Sequence, residues 1–219
     1  MKLLELFAGS RSIGKVAESM GFEVFSVDWT EYENIDLAKD IGKLELSDIP
    51  FVPDVVWASP DCTTYSIAAI STHRDKETRE GKTDYARECD ITNQHWMGLI
   101  DKWLKLNQDL IYYIENPRGG LRKMPWMEKH PIRHTVWYCQ YGDKRAKPTD
   151  IWTNNPNWTP REQCRNYKRG KDGNIIKHCH HESAPRGSRT GTQGVKGSYL
   201  RSVIPEELCV EVLKAVNGK

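Results

Sequence analysis

The chain has 219 residues, 38% of them hydrophobic, enough for one domain with a small appendage. It has no apolar run near the length of a membrane span, and its start, MKLLELFAGS, is too short and too acidic for a signal peptide, so a cytoplasmic protein without a membrane partner is expected. The net charge of +2 conceals an asymmetry: residues 1–116 hold 12 Lys+Arg against 21 Asp+Glu and 117–201 hold 18 against 6, which points to polyanion contact in the second half, a merely solvated basic surface being the alternative.

Residues 2–7 (KLLELF) predict a short buried strand, AGSRS a loop, and 13–20 a helix that Gly21 ends. A second strand over 23–27 ends at Asp28-Trp29, and a third follows over 54–58 (DVVWA). Trp96, Leu99, Ile100, Trp103 and Leu104 recur at helical spacing, which predicts an amphipathic helix over 91–106. The next buried strand, 110–114, ends at Glu115-Asn116-Pro117. Strand-like pieces lie at 132–140 and 150–153. The stretch 154–198, rich in Asn, Pro, Gly, Arg and Lys, reads as a small irregular lobe. Residues 204–216 predict a helix with Pro and acidic residues in its first turn.

This alternation predicts an α/β fold: a doubly wound, mostly parallel sheet with helices on both faces. Ligands of such sheets gather beyond the carboxyl ends of the strands, where Asp28, Ser59 to Cys62, and Glu115 to Pro117 all fall. A structural cysteine belongs inside an apolar run. Cys62 instead follows one, at the exit of a Ser-Pro-Asp turn and ahead of a helix start, where a thiolate can be exposed and stabilised.

GSRSIGKV (residues 9–16) nearly matches a phosphate-cradling loop, but Val16 cannot supply the hydroxyl that holds magnesium, which argues against a nucleotide triphosphatase. What remains is a small-residue loop open to close approach. Asp28 offers acceptors for two ribose hydroxyls, Trp29 a flat face for a purine, and Asp40-Ile41 an acceptor and an apolar wall. These roles suit an adenosine without phosphates, such as S-adenosylmethionine.

Together these residues resemble the C5-cytosine DNA methyltransferases. LELFAGSRSIG is similar to the family's first cofactor motif, Asp28-Trp29 and Asp40-Ile41 to its next two, and SPDCTTYS to its catalytic Pro-Cys motif. Tyr113-Ile114-Glu115-Asn116-Pro117 resembles the Glu-Asn-Val motif, and Tyr141-Gly142 with Lys144, Arg145 and Lys147 a shortened Gln-x-Arg-x-Arg. The first five matches run in family order over residues 3–117, and the remainder resembles compact, phage-encoded members more loosely. Asp61 and Thr63 stand where the family has Pro and Gln beside the cysteine, Pro117 stands for Val, and the C-terminal Gly-Asn-Ala-Val is absent.

The resemblance implies a catalytic and cofactor-binding domain over 1–153, a basic recognition lobe over 154–198, and a C-terminal helix in 199–219 packing back on the first domain. It implies cofactor contacts from Phe7, Ala8, Gly9, Ser10, Ser12, Ile13, Asp28, Trp29, Asp40, Ile41, Ser59 and Pro60. Cys62 would add to C6 of a flipped cytosine, Glu115 would hydrogen-bond N3, and Arg145 or Lys147 would hold the O2 side. The expected macromolecular partner is double-stranded DNA, contacted by Ser66, Arg118, Arg122, Lys123, Arg165, Lys168, Arg169, Arg186 and Arg189. RNA as substrate, a modified methyl group, or a catalytically silent binding protein of this fold are the alternatives.

Six cysteines without regular short spacing suggest a reducing compartment. Cys164, Cys179 and His180 are candidate ligands of a structural zinc, with His178, His181 or Cys139 completing four; a basic loop with incidental cysteines is the competing reading.

Overall fold

The computed structural model describes residues 1–165, 167–169, 171–177, 179–182, 195 and 197–216. Apolar side chains alternate along three central strands, β1 (Lys2–Leu6), β4 (Val55–Ala58) and β5 (Ile111–Pro117), and nearly all are buried. A strand with both faces covered reads as a continuous apolar run, which is why KLLEL, VVWA and IYYI look alike. Leu4, Leu6, Val56, Ala58, Tyr112 and Ile114 face one core, against Trp96, Ile100 and Trp103 of α3 (Asp84–Leu106). Leu3, Val55, Trp57, Ile111 and Tyr113 face the other, against Ile13 and Ala17 of α1 (Ser12–Ser19) and Leu208 and Val212 of α5 (Glu206–Val216).

With β2 (Glu23–Asp28), β3 (Leu37–Ala38), β6 (Ile132–Trp137) and β7 (Pro148–Thr153), these strands form one sheet in the order β3-β2-β1-β4-β5-β7-β6. Strands β1 to β5 pair in parallel, and β7 runs antiparallel to both β5 and β6. The order reverses between β1 and β4, so their carboxyl ends open a crevice there. Because β7 is reversed, its start and the end of β6 lie at that same edge: Pro117 pairs with Thr149, and Trp137 with Pro148.

Three boundaries differ from expectation. After the single turn α2 (Ile70–His73), helix α3 begins at Asp84, not 91, because its polar first turns are held by other means: the Thr83 hydroxyl accepts from Ala86 N at 3.2 Å, and Asp90 pairs with buried Arg74 at 2.7 Å. The strand predicted over 132–140 stops at Trp137, and Tyr138–Tyr141 turn as a 3-10 helix. The lobe contains a hairpin of β8 (Tyr167–Arg169) and β9 (Ile175–Lys177), and a short helix, α4 (Ser198–Ser202), precedes α5. The segment 154–158 packs on the sheet: Asn154 bonds Tyr112 N and Leu110 O at 2.9 and 2.8 Å, and Trp158 is buried.

Candidate active site

The cofactor side of the crevice begins where β1 ends. Phe7, Gly9 and Arg11 all take positive φ (56°, 47° and 52°), which coils the loop tightly. Only Gly9 adopts that conformation without strain. Ala8 N donates to Val27 O at 3.1 Å, and Asp28 at the end of β2 accepts from Gly9 N and Thr30 N, each at 2.9 Å. Two backbone donors use about half of a carboxylate's acceptor sites, which leaves capacity for ribose hydroxyls. Trp29 beside it is 78% exposed, so its indole face is open to a purine. Asp40 is exposed, with one oxygen on Gly42 N at 2.9 Å. These residues fit an adenosine without phosphates.

Other expected cofactor residues sit differently. Ile13 and Ile41 are buried in the two cores, so neither side chain forms an open wall. The Phe7 ring packs edge-on against Trp96 at 5.9 Å. Ser10 and Ser12 bond each other at 2.8 Å, and Ser12 Oγ also accepts from Ile204 N at 3.1 Å. That last bond carries something unpredicted: the 197–204 segment closes over the loop. A Cβ on Gly9 would stand 3.5 Å from Ser202 Oγ, and Tyr199 packs on Tyr32 with ring centroids 5.4 Å apart. In the sequence, the apolar pair Tyr199-Leu200 is the signal that could have marked this segment.

The chemical side forms where β4, β5, β6 and β7 meet. Ser59 N donates to Leu6 O at 3.2 Å, and the Trp57 indole N–H donates to Ser59 Oγ at 2.9 Å, which fixes the exit of β4. The buried Asn116 side chain donates to Pro60 O at 2.9 Å, tying the cysteine loop to the end of β5. Behind Cys62 the chain makes a single 3-10 turn, Thr63–Tyr65. That turn is braced by Arg74, which is 0% exposed and reaches Thr64 O and Thr64 Oγ1 at 2.9 Å, Asp90 at 2.7 Å, and the Tyr65 ring at 4.1 Å. Gly119 is required there, since a Cβ would come within 2.6 Å of Tyr65 O. Ser66 is half-buried and accepts from Ala68 N at 3.3 Å.

Glu115, 5% exposed, accepts from the Tyr138 hydroxyl at 2.8 Å and lies 3.9 Å from Lys147 Nζ. Lys147 also donates to Arg201 O at 3.0 Å and stands 4.5 Å over the Tyr138 ring. Burial holds its ammonium below the usual lysine range, although Glu115 and Cys62 pull the other way. Cys62 is half-buried rather than exposed. Burial, Asp61 and Glu115 push its thiol up to about 11, while Lys147 opposes them. The group that favours its thiolate is therefore Lys147; the helix start expected behind it is a three-residue turn, too short to act as one. Tyr85 donates to Asp61, holding that unusual acid beside the cysteine.

Arg145 departs from its expected role. It is 7% exposed, bonded to Asp143 at 3.0 Å and to the carbonyls of Arg201 and Val203 at 3.2 and 3.1 Å. Its guanidinium is spent on anchoring the C-terminal segment, so of the two cations only Lys147 faces Glu115. Arg122 is similarly engaged, with Asp150 at 2.7 Å and Thr135 at 3.1 Å, because an arginine beside a fully buried aspartate must neutralise it. Arg118, Lys123 and Arg165 are exposed and open to phosphates. The side chains of Lys168 and Arg169, and all of His178, Arg186 and Arg189, lie outside the described residues.

In the lobe, Cys164 and Cys179 do come together, but with Cys139 and His181 rather than His180. The His180 ring is turned away and meets Asp143 O at 3.0 Å. Cys179 and His181 thus face the cluster, and the intervening His180 does not. Among the described residues no helix is long and apolar enough to cross a membrane.

No family model matches the chain. Over 97% of its length it is 27% identical to the "Probable DNA (cytosine-5)-methyltransferase" of Frog virus 3 (isolate Goorha), covering 99% of that protein. It superposes on the Entamoeba histolytica methyltransferase EhMeth with a TM-score of 0.52 at 13% identity, over 75% of this chain and 57% of that one. For a variant of Spodoptera frugiperda DNMT2 the TM-score is 0.49 at 17% identity, over 74% of this chain and 53% of that one. The chain thus matches about half the length of these solved structures. The doubly wound, mostly parallel α/β sheet is borne out, a fold the chain shares with EhMeth, as is the resemblance to the C5-cytosine enzymes.

Proposed function

We infer that this chain, a relative of the C5-cytosine DNA methyltransferases, methylates C5 of a flipped cytosine in DNA through a covalent bond from Cys62. One observation carries the reading: a cysteine, a buried carboxylate and a half-buried ammonium converge at one sheet edge, with Glu115 3.9 Å from Lys147 and the Cys62 loop tied to Asn116 at 2.9 Å. S-adenosylmethionine, when bound, supplies an electrophilic methyl group. Asp28 and Trp29 hold its adenosine end, beside the coiled loop at Gly9.

Cytosine C5 is a weak nucleophile until C6 carries a nucleophile of its own. The Cys62 thiolate adds its electron pair to C6, and the ring electrons shift toward C5 and N3. As a carboxylic acid, Glu115 donates a hydrogen bond to N3 and offsets the charge that gathers there, while the Lys147 ammonium on the same side stabilises the Cys62 thiolate. Once C5 carries the methyl group, its proton leaves to a base, the C5–H pair re-forms the double bond, and the thiolate departs. The target base is inaccessible in a duplex, and flipping it costs a few kcal/mol. Arg118, Lys123 and Arg165 would repay that cost at phosphates, with the lobe over 154–198 as recognition element.

DNA carrying 5-fluorocytosine tests this reading, because fluorine cannot leave as a proton does. In the presence of S-adenosylmethionine it should trap the protein in an adduct that survives denaturation and maps to Cys62, and Cys62→Ala should abolish both trapping and methyl transfer. Labelled methyl appearing in RNA but not DNA, or an adduct at another cysteine, would overturn it.

A further inference from the structure

We propose that Cys139, Cys164, Cys179 and His181 bind a structural zinc ion, which clips the basic lobe to the turn that carries Tyr138. Their ligand atoms all lie within 4.8 Å of one another. In a tetrahedral site with zinc–sulfur bonds of about 2.3 Å, neighbouring ligands stand about 3.5–3.8 Å apart. Cys164 Sγ and His181 Nδ1 are already 3.6 Å apart, and all six cysteines of the chain are free thiols.

Three separate stretches of chain bring these groups together. Cys139 is buried in the 3-10 turn Tyr138–Tyr141. Cys164 follows Arg161, which anchors the chain by donating to Gln140 O at 2.7 Å and Glu211 at 3.0 Å. Cys179 and His181 lie on a strip held beside 143–144, where Glu182 N donates to Lys144 O at 2.9 Å. Around the cluster, the Gln140 side-chain N–H reaches Cys139 Sγ at 3.8 Å and Cys179 Sγ at 3.9 Å. A donor aimed at two sulfurs is what an outer shell around thiolates requires.

Packing alone does not explain the cluster. A cysteine serving as a small hydrophobe sits in a core, as Cys209 does, whereas Cys164 and Cys179 are half-buried at the lobe's edge. Among the residues of 159–197 whose side chains are described, none contributes to the hydrophobic core. A lobe so small gains from a metal what it cannot gain from burial. On binding, each of three thiols releases a proton to solvent, leaving three thiolates and a neutral imidazole around the ion.

The clip also has a consequence that rests on the proposed function. Cys139 adjoins Tyr138, whose hydroxyl holds Glu115 at 2.8 Å, so zinc would steady the carboxylate through the same turn.

Elemental analysis of the full chain, purified without added metal, should find about one zinc per protein. His180→Ala should keep it, whereas Cys164→Ser and His181→Ala should lose it. His181→Cys, which preserves four ligands, should retain it. Cobalt substituted for the zinc should give the thiolate charge-transfer and tetrahedral d–d bands of a sulfur-rich site, a readout that needs no variant to fold. Well-folded wild-type protein with far less than one zinc per chain, a disulfide among the three cysteines in its place, or zinc retained by both ligand-removing variants would overturn the proposal. None of these readouts involves DNA or methyl transfer, so a failure of the proposed function would leave them standing.

Discussion

Asn116 donates its side-chain N–H to the carbonyl of Pro60 across 2.9 Å, 56 residues away in sequence. The bond joins the ends of β4 and β5, so the cysteine loop and the carboxylate strand move as one piece. Asn116 is fully buried there.

Asn116→Ala therefore leaves Pro60 O without a partner, which costs about 1–3 kcal/mol. The expected result is a loss of methyl transfer of roughly 10–100-fold in kcat. Affinity for S-adenosylmethionine, measured by calorimetry, should hardly change. A kcat near wild type would mean that the loop is positioned by Arg74 alone.

The raised Cys62 thiol makes a pH prediction. Its protonated form persists well above neutral pH, so the thiolate fraction grows as pH rises toward about 11. Alkylation of Cys62 by iodoacetamide in the free protein should quicken about tenfold per pH unit between about 7 and 9, with no plateau. Lys147→Gln removes the cation that opposes this rise and should slow alkylation at any fixed pH. Peptide mapping separates Cys62 from the other thiols; a plateau below pH 9 would contradict the assignment.

Asp28→Ala should weaken S-adenosylmethionine binding by at least about tenfold, the value of one lost charged acceptor. The structure adds a second expectation, since Asp28 also accepts from Gly9 N and Thr30 N. Folding stability in urea should fall by about 1–3 kcal/mol as those donors lose their partner. Unchanged calorimetric affinity would remove Asp28 from the cofactor site.

Glu5 is buried beneath α1, and desolvation raises its carboxyl to about 7 despite bonds from Gly14 N and Ser26 and the charge of Arg11. Between the ordinary carboxyl value of 4.5 and about 7 the folded chain holds a proton that the unfolded chain has released. This contribution to stability is present at low pH and is lost as pH rises through that window. Relative to Glu5→Gln, the wild type should gain about 2–3 kcal/mol between pH 8 and pH 5. Parallel denaturation curves whose difference stays flat with pH would show that Glu5 titrates normally.

Much of the catalytic edge was legible in the sequence because each of its motifs is local. An apolar run followed by small and polar residues marks a strand and its exit, and Asp28, Cys62 and Glu115 each stand at such an exit. Parallel alternation then obliges those exits to share one edge. Helix α3 was only half legible: its first two turns carry no apolar period and owe their place to the Thr83 cap and the Arg74–Asp90 pair.

What tertiary structure alone decided concerns the residues after 117. The antiparallel insertion of β7 between β5 and β6 turns Lys147 and Tyr138 toward Glu115, and no local pattern announces strand direction. The same folding sends Arg145 to the carbonyls of 200–203 and brings 197–204 over the Gly9 loop. It also selects His181 over His180 beside three cysteines drawn from separate stretches of chain. Adjacent residues are equivalent in composition; only the path of the backbone decides which of them faces inward.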